Sequence, residues 1–418
     1  MNFETNRKSK IYAVSSCLGC FIICFIIVGT MNTYGIFFPD MMADRGWSAA
    51  MITVSSVLST TVTFLLGQYY GNVIRKMGIR AACSIGIFCF GFGYFIWSLV
   101  PTFWMSFVSA IFRGVGMAFA AQSTTSLVVS NWFYEKRGAV LGIVMSGVGI
   151  GGAVMSLIYG RIIAAAGWRS GFQSIFLFCI LIALPAAIFL VKEAPERYSM
   201  TIDVKKTETN GTGQAAEGLT LQQARKSPAF YMLFPAMFFI NIITISTAMY
   251  GAAYFTELGF STVSASNFMS IYLTAGAIVT LVGGFAMDRL GSLRFTLICV
   301  VAAIVGVLLR HFAAISNVVM FAVSMFLIGI GSTISNQTPA AVTMELFGRR
   351  DYASIVSKYT VTVTFAAGLM SPVLGLLHTT LGSYRGVAIV AATVAAGAAT
   401  LFAAAVIIGR RFQPTEVE

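Results

Sequence analysis

Apolar residues in this chain neither alternate nor keep to one narrow helical stripe. They run in long blocks broken by short polar or basic stretches, at 11–38, 50–70, 81–99, 103–129, 138–165, 171–191, 229–255, 265–287, 295–312, 318–343, 352–377 and 387–408. A helix needs ~20 apolar residues to cross a hydrocarbon core, and most of these blocks reach that length. Lipid offers no partner to a bare backbone, so an isolated spanning segment must be helical. The pattern therefore predicts an all-α membrane protein with twelve transmembrane helices, numbered here as spans 1 to 12.

Composition agrees with the pattern and removes the alternatives. Of the 418 residues 57% are hydrophobic and 10% charged, against roughly 25% charged in a soluble domain. A net charge of +12 raises the question of nucleic acid. The basic residues, however, lie in short clusters between apolar blocks, as expected for anchoring to an anionic leaflet. The partner they predict is a lipid bilayer, not nucleic acid. The block at 11–38 is too long for the core of a cleavable signal peptide and lacks an A-x-A-like site.

Lys and Arg set the orientation. With the N-terminus inside, twenty of the 27 basic residues fall on inner segments, among them Arg7, Lys8, Arg75, Lys76, Arg137, Arg225, Arg289, Arg349 and Arg410. Both termini are thus expected to be cytoplasmic, in a multi-pass protein of the plasma (inner) membrane. All five tryptophans, Trp47, Trp97, Trp104, Trp132 and Trp168, fall at predicted span ends, as an aromatic belt requires.

One stretch departs from the block pattern. Residues 192–228, which include KKTETNGTGQAAEG, read as a flexible cytoplasmic linker closed by a short amphipathic segment before span 7. The linker separates an N-terminal six-helix half, 1–191, from a C-terminal six-helix half, 229–418. An internal repeat supports the division: Gly71 to Gly78 resembles Gly284 to Gly291 at an offset of 213, and Lys136-Arg137 precedes Arg349-Arg350 by the same interval. Parallel halves of this kind hold a solute site between them near the bilayer midplane.

The sequence Gly284-Phe-Ala-Met-Asp288-Arg289-Leu-Gly291 matches the Gly-x-x-x-Asp-Arg-x-Gly signature of the major facilitator superfamily. Its first-half copy carries Arg75 in place of the aspartate. YGIFFPDMMADRGWS (34–48), NWFYEKRGAVLGIVMSGVGIGG (131–152), GWRSGF (167–172) and TPAAVTMELFGRRDYAS (338–354) together resemble the monocarboxylate and oxalate/formate antiporter group. The resemblance implies the two-half major facilitator fold and a monomeric antiporter or symporter of small organic anions. The alternative is a carrier of neutral or cationic solutes, such as a sugar or a drug. Gly147, Gly149, Gly151 and Gly152 lack the proline of drug-antiporter runs and read as a close-packing face of span 5.

Interior charge points to chemistry. None of the fifteen Asp and Glu residues lies deep in a span, whereas Arg113, Arg310 and Lys358 fall within spans. A charge at that depth costs at least ~2.5 kcal/mol, and an incoming anion is the natural counter-ion. Spans 1, 4, 7 and 10 line the cavity in the resembling superfamily, which puts Arg113 near the solute; its planar fork suits a carboxylate. Arg310 and His311 map to a lipid-facing position. Tyr34, Gln122, Asn241, Tyr250, Asn336 and Gln337 supply hydrogen-bonding groups on the lining spans, with Lys358 nearer the inner end. The resemblance also implies gating contacts: Asp288 with Arg137, and Arg75 with Glu345 or Asp351. Cys17, Cys20 and Cys24 share one helical face without a His or carboxylate, which reads as packing and not as a metal site. No acid–base pair, nucleophile constellation or phosphate loop is present, so the sequence predicts neither an enzyme nor a cofactor.

Overall fold

The computed structural model describes residues 3–100, 102–120, 122–133, 137–192, 219–348 and 350–411 of the chain, and every regular element among them is helical. Ten helices are long and apolar enough to cross a membrane. One of these, Val140–Leu190, breaks at Gly167, where φ is 79° and ψ 167°. That left-handed geometry favours glycine, and it divides the helix into two crossings. Val318–Gly331 continues after a short turn as Ile334–Phe347, which adds another. The described helices thus make twelve crossings.

The chain divides into two compact units, Met1–Thr209 with Ser261–Ser270, and Asn210–Phe260 with Ile271–Glu418. Ser261–Ser270 clusters with the first unit because Ser156 Oγ donates to the Ser266 carbonyl at 2.7 Å. Of the segment read as a flexible linker, residues 193–218 lie outside the described residues. Its last part is anchored: Thr220 and Gln223 form a capping box at the helix Leu221–Ala224, and Leu219 N donates to the Phe347 carbonyl at 2.8 Å.

The sequence repeat is built into the helices. Ala49–Met77 and Thr262–Leu290 both run 29 residues, and Ile79–Leu99 and Ser292–Phe312 both run 21. The offset is 213 at each end. Gly78 and Gly291 turn the chain between them at φ 83° and 79°, and Gly46 and Gly259 precede them at φ 65° and 90°. Only glycine takes these values without strain. Ser48 and Ser261 accept from the backbone N–H three residues on, each at 3.2 Å, as helix-capping residues do.

The glycine face of span 5 packs against span 1. A Cβ on Gly29 would sit 2.7 Å from the Gly151 carbonyl carbon, one on Gly147 2.9 Å from the Phe21 carbonyl oxygen, and one on Gly151 would meet the Phe25 backbone. Small residues let the two backbones approach.

Three of the five tryptophans do not form an outward belt. Trp97, Trp132 and Trp168 are buried. Trp132 Nε1 donates to the Lys192 carbonyl at 2.8 Å and Trp168 Nε1 to Asp44 at 3.2 Å, so for these two internal hydrogen bonds outweigh the interface. Trp104 is the exposed one, at 74%.

Candidate functional site

Span 1 does not run as one regular helix. Cys24–Val28 is a π-helical turn and Tyr34–Phe37 a 3₁₀ turn, with Thr33 between helical stretches at φ −101°, ψ 0°. Such irregular turns frequently mark functional positions. The break brings the Tyr34 ring to Arg113 on the helix Met105–Ala120, at 5.2 Å from the guanidinium carbon to the ring centroid. Tyr94 and Trp97, one helical turn apart on span 3, place their rings at 5.3 and 5.0 Å. Gly93 lets span 4 come this close, since a Cβ there would lie 2.7 Å from Arg113 Cγ. Ser109 Oγ seals the contact by donating to the Gly93 carbonyl at 2.7 Å.

Arg113 is 4% exposed. Its Nη2 donates to Ser55 Oγ at 3.2 Å, and Tyr94 is a further hydrogen-bond partner. No carboxylate pairs with it among the described residues. A cation–π contact contributes ~0.5–2 kcal/mol, while burying a charge costs several kcal/mol per ion; the rings offset the burial only in part. Arg113 Nε, Tyr34 Oη and Trp97 Nε1 are all buried without a partner. Three polar groups able to donate are thus gathered where no anionic group among the described residues meets them.

The other sequence-selected groups divide. Asn241 is buried, donates to the Met237 carbonyl at 3.0 Å and accepts from Ser335 at 2.6 Å. Tyr250 donates to the Ser371 carbonyl and stacks on Tyr384 at 5.6 Å. Both tie helices together within the second unit. Gln337 Nε2 donates to the Thr280 carbonyl at 2.8 Å, and its Oε1 is buried without a partner. Lys358 is half-buried on the helix Tyr352–Leu381. The side chains of Gln122, Asn336, Asp288 and Arg137 lie outside the described residues.

Of the gating candidates, Arg75 is exposed and donates to Asn72 on its own helix. Glu345 accepts from Ser292 N and Arg410 Nε, both at 3.0 Å. Asp351 accepts from Leu221 N at 2.7 Å. These two carboxylates hold the second unit's own helix ends together. Arg310, expected to face lipid, is 2% exposed, because the ring of Tyr254 covers its guanidinium at 4.5 Å.

One acid drew no attention in the sequence. Asp40, on the helix Phe38–Arg45 just beyond span 1, is half-buried with Oδ2 unpartnered. Burial pushes its carboxyl up from the usual range, and a hydrogen bond from Thr262 pulls it part of the way back. A raised folded pKa means that the ionised form opposes folding at neutral pH. Asp40→Asn is therefore expected to unfold at a higher temperature than the native chain near pH 7. The gap should narrow as pH falls through the raised pKa towards the usual carboxylate value. Thermal unfolding across that range reads the effect, and a gap that widens on acidification contradicts the assignment.

The sequence profile of the Major Facilitator Superfamily matches residues 20–309 and 243–417. The chain belongs to the major facilitator superfamily. Its relatives are membrane transporters and, as a rule for the superfamily, not enzymes. It is 24% identical over 279 residues to the MFS-type transporter pytF of Aspergillus terreus, covering 66% of this chain and 88% of that protein. It is 26% identical over 193 residues to the riboflavin transporter RibJ of Trypanosoma brucei brucei, covering 45% of this chain but 35% of that protein. Among solved structures, the nucleoside transporter NupG superposes with a TM-score of 0.72 at 15% identity, over 94% of this chain and 98% of that one. At that identity the likeness concerns the fold.

Proposed function

We propose that this major facilitator protein carries small organic anions, mono- or dicarboxylates, across the inner membrane by alternating access, with Arg113 as the counter-ion of the carboxylate. The observation that carries the reading is a buried arginine whose own partners are aromatic faces and a serine, with no carboxylate among the described residues. Cation–π partners are soft. A carboxylate makes charge-assisted bonds, roughly twice as strong as neutral ones, and so displaces a ring from the guanidinium without an ion pair having to break. Tyr34 Oη and Trp97 Nε1 supply two further groups for the same solute. In this reading Asp288 and Arg137 belong to the cytoplasmic lock, the chain acts as a monomer, and both termini lie inside.

The test is uptake of labelled carboxylates into liposomes holding the purified protein, either empty or preloaded with the same solute, with and without a pH gradient. Preloading is expected to accelerate uptake, as exchange requires. A panel of carboxylates of which none is taken up, while sugars or cationic dyes are, defeats the reading. A second reading, a planar aromatic solute stacked on Tyr34 and Trp97, is favoured by the ring cluster and by the riboflavin named for RibJ. An uncharged aromatic solute in the same panel separates the two.

A further inference from the structure

At the 213-residue repeat interval, Trp97 of the first unit corresponds in sequence to Arg310 of the second. In the first unit this position supplies a ring to a buried arginine. In the second it supplies the arginine itself. Arg310 lies in the last turn of the helix Ser292–Phe312 and is 2% exposed. Its guanidinium carbon lies 4.5 Å from the centroid of the Tyr254 ring, and the Tyr254 hydroxyl is committed elsewhere, donating to the Arg310 carbonyl at 3.2 Å. Nε and Nη1 of Arg310 are buried without a hydrogen-bond partner, and so is Nδ1 of the adjacent His311. Glu257, one turn beyond Tyr254 on the same helix, is already engaged by Tyr384 N at 3.0 Å and by His378 Nε2 at 3.7 Å. Among the described residues no carboxylate pairs with Arg310.

A permanently charged guanidinium with two idle N–H groups in a buried setting has, among the described residues, no compensation beyond one ring face. Buried charges are paired as a rule. We infer that Arg310, beside the Tyr254 ring, forms a second anion site within the second unit, which takes a small monovalent anion of the chloride or short-carboxylate class. A single cation sets the charge of the occupant at minus one. The depth of burial excludes a bulky headgroup. The inference is independent of the role proposed for Arg113.

The experiment is thermal unfolding of the full chain in a neutral, phosphate-free detergent. The bulky sulfonate MES holds the ionic strength and is replaced stepwise by chloride, so that no carboxylate able to occupy the Arg113 site is present. A ligand that binds only the folded form raises the unfolding temperature by mass action. The native chain is expected to gain roughly 2 °C or more between MES and saturating chloride. Arg113→Gln should keep that gain and Arg310→Met should lose it. If Arg310→Met yields no folded protein, Arg310→Lys decides: a half-effect concentration raised about tenfold supports the site, and an unchanged one overturns it. A flat native response overturns the inference, as does a gain that survives in Arg310→Met. A gain lost in Arg113→Gln but kept in Arg310→Met assigns the anion to Arg113 and also overturns it. Stabilisation by phosphatidylglycerol with none from chloride marks a headgroup site and rules out the small-anion assignment.

Discussion

Arg113→Gln is expected to lower carboxylate uptake by about 100-fold or more while the protein still inserts and purifies folded. Hydrogen bonds to a charged group contribute ~1.5–3 kcal/mol, and each 1.36 kcal/mol corresponds to about tenfold in rate. Loss of one such bond together with the charge reaches that range. Folding should survive, because removing a buried charge that no carboxylate among the described residues compensates relieves a burial cost and orphans none of those acids. Arg113→Lys should also fail. Lysine keeps the charge but not the planar fork that lies against Tyr34, Tyr94 and Trp97 and donates to Ser55. Tyr34→Phe retains the ring and removes the unpartnered hydroxyl, so its effect should appear mainly as a raised KM. The measurements are proteoliposome uptake and thermal unfolding on the same preparations. Near-native uptake by both Arg113 variants removes Arg113 from the transport site.

Half of the arginine site was legible in the sequence. The absence of any acid at depth isolated Arg113, and the order of spans put Tyr34 near it. Tyr94 and Trp97 were not found. The candidate lining is drawn from spans 1, 4, 7 and 10 of the resembling superfamily, and Trp97 at a span end reads as an interface anchor. The available signal was the run Gly93-Tyr94-Phe-Ile-Trp97, where a glycine opens a helix face and two aromatics follow one turn apart on that side. Asn241 and Tyr250 went the other way. Their polarity drew them into the candidate lining, but a buried polar group most often satisfies itself on a neighbouring helix, as both do here. Arg310 was assigned to lipid from helix number alone. Sequence position gives the helix but not the rotation of one residue about it, and burial depends on that rotation.

The fold was more legible than the site because its determinants are one-dimensional. Block length sets the spans, and the 213-residue interval sets the repeat. Both passed into structure down to matched helix lengths and paired left-handed glycines at Gly46 and Gly259, and at Gly78 and Gly291. The blocks 138–165 and 171–191 imply a loop around Gly167 between two spans. It proved to be a single residue in a left-handed conformation, since a glycine turns the chain without a connecting segment.

The glycines of span 5 set the largest expected loss of stability. Gly151→Val should leave little or no folded protein in the membrane, with a cost of about 3 kcal/mol or more. In a close-packed interior an added group is relieved only if its neighbour can move. Here the neighbour is backbone: the new Cβ would overlap the Phe25 main chain, and across the same contact a Cβ on Gly29 would lie 2.7 Å from the carbonyl carbon of Gly151. A side chain swings aside at small cost, but a helix backbone can only translate. Translation of span 1 would also pull Tyr34 from Arg113, so any Gly151→Val protein that survives should transport poorly. Gly142→Val is the control on the same helix, because a Cβ there meets nothing within 4 Å. β-Branching costs the two variants alike, so the difference in folded yield and unfolding temperature between them isolates the contact. Equal stability of the two would mean that spans 1 and 5 are not held together at Gly151.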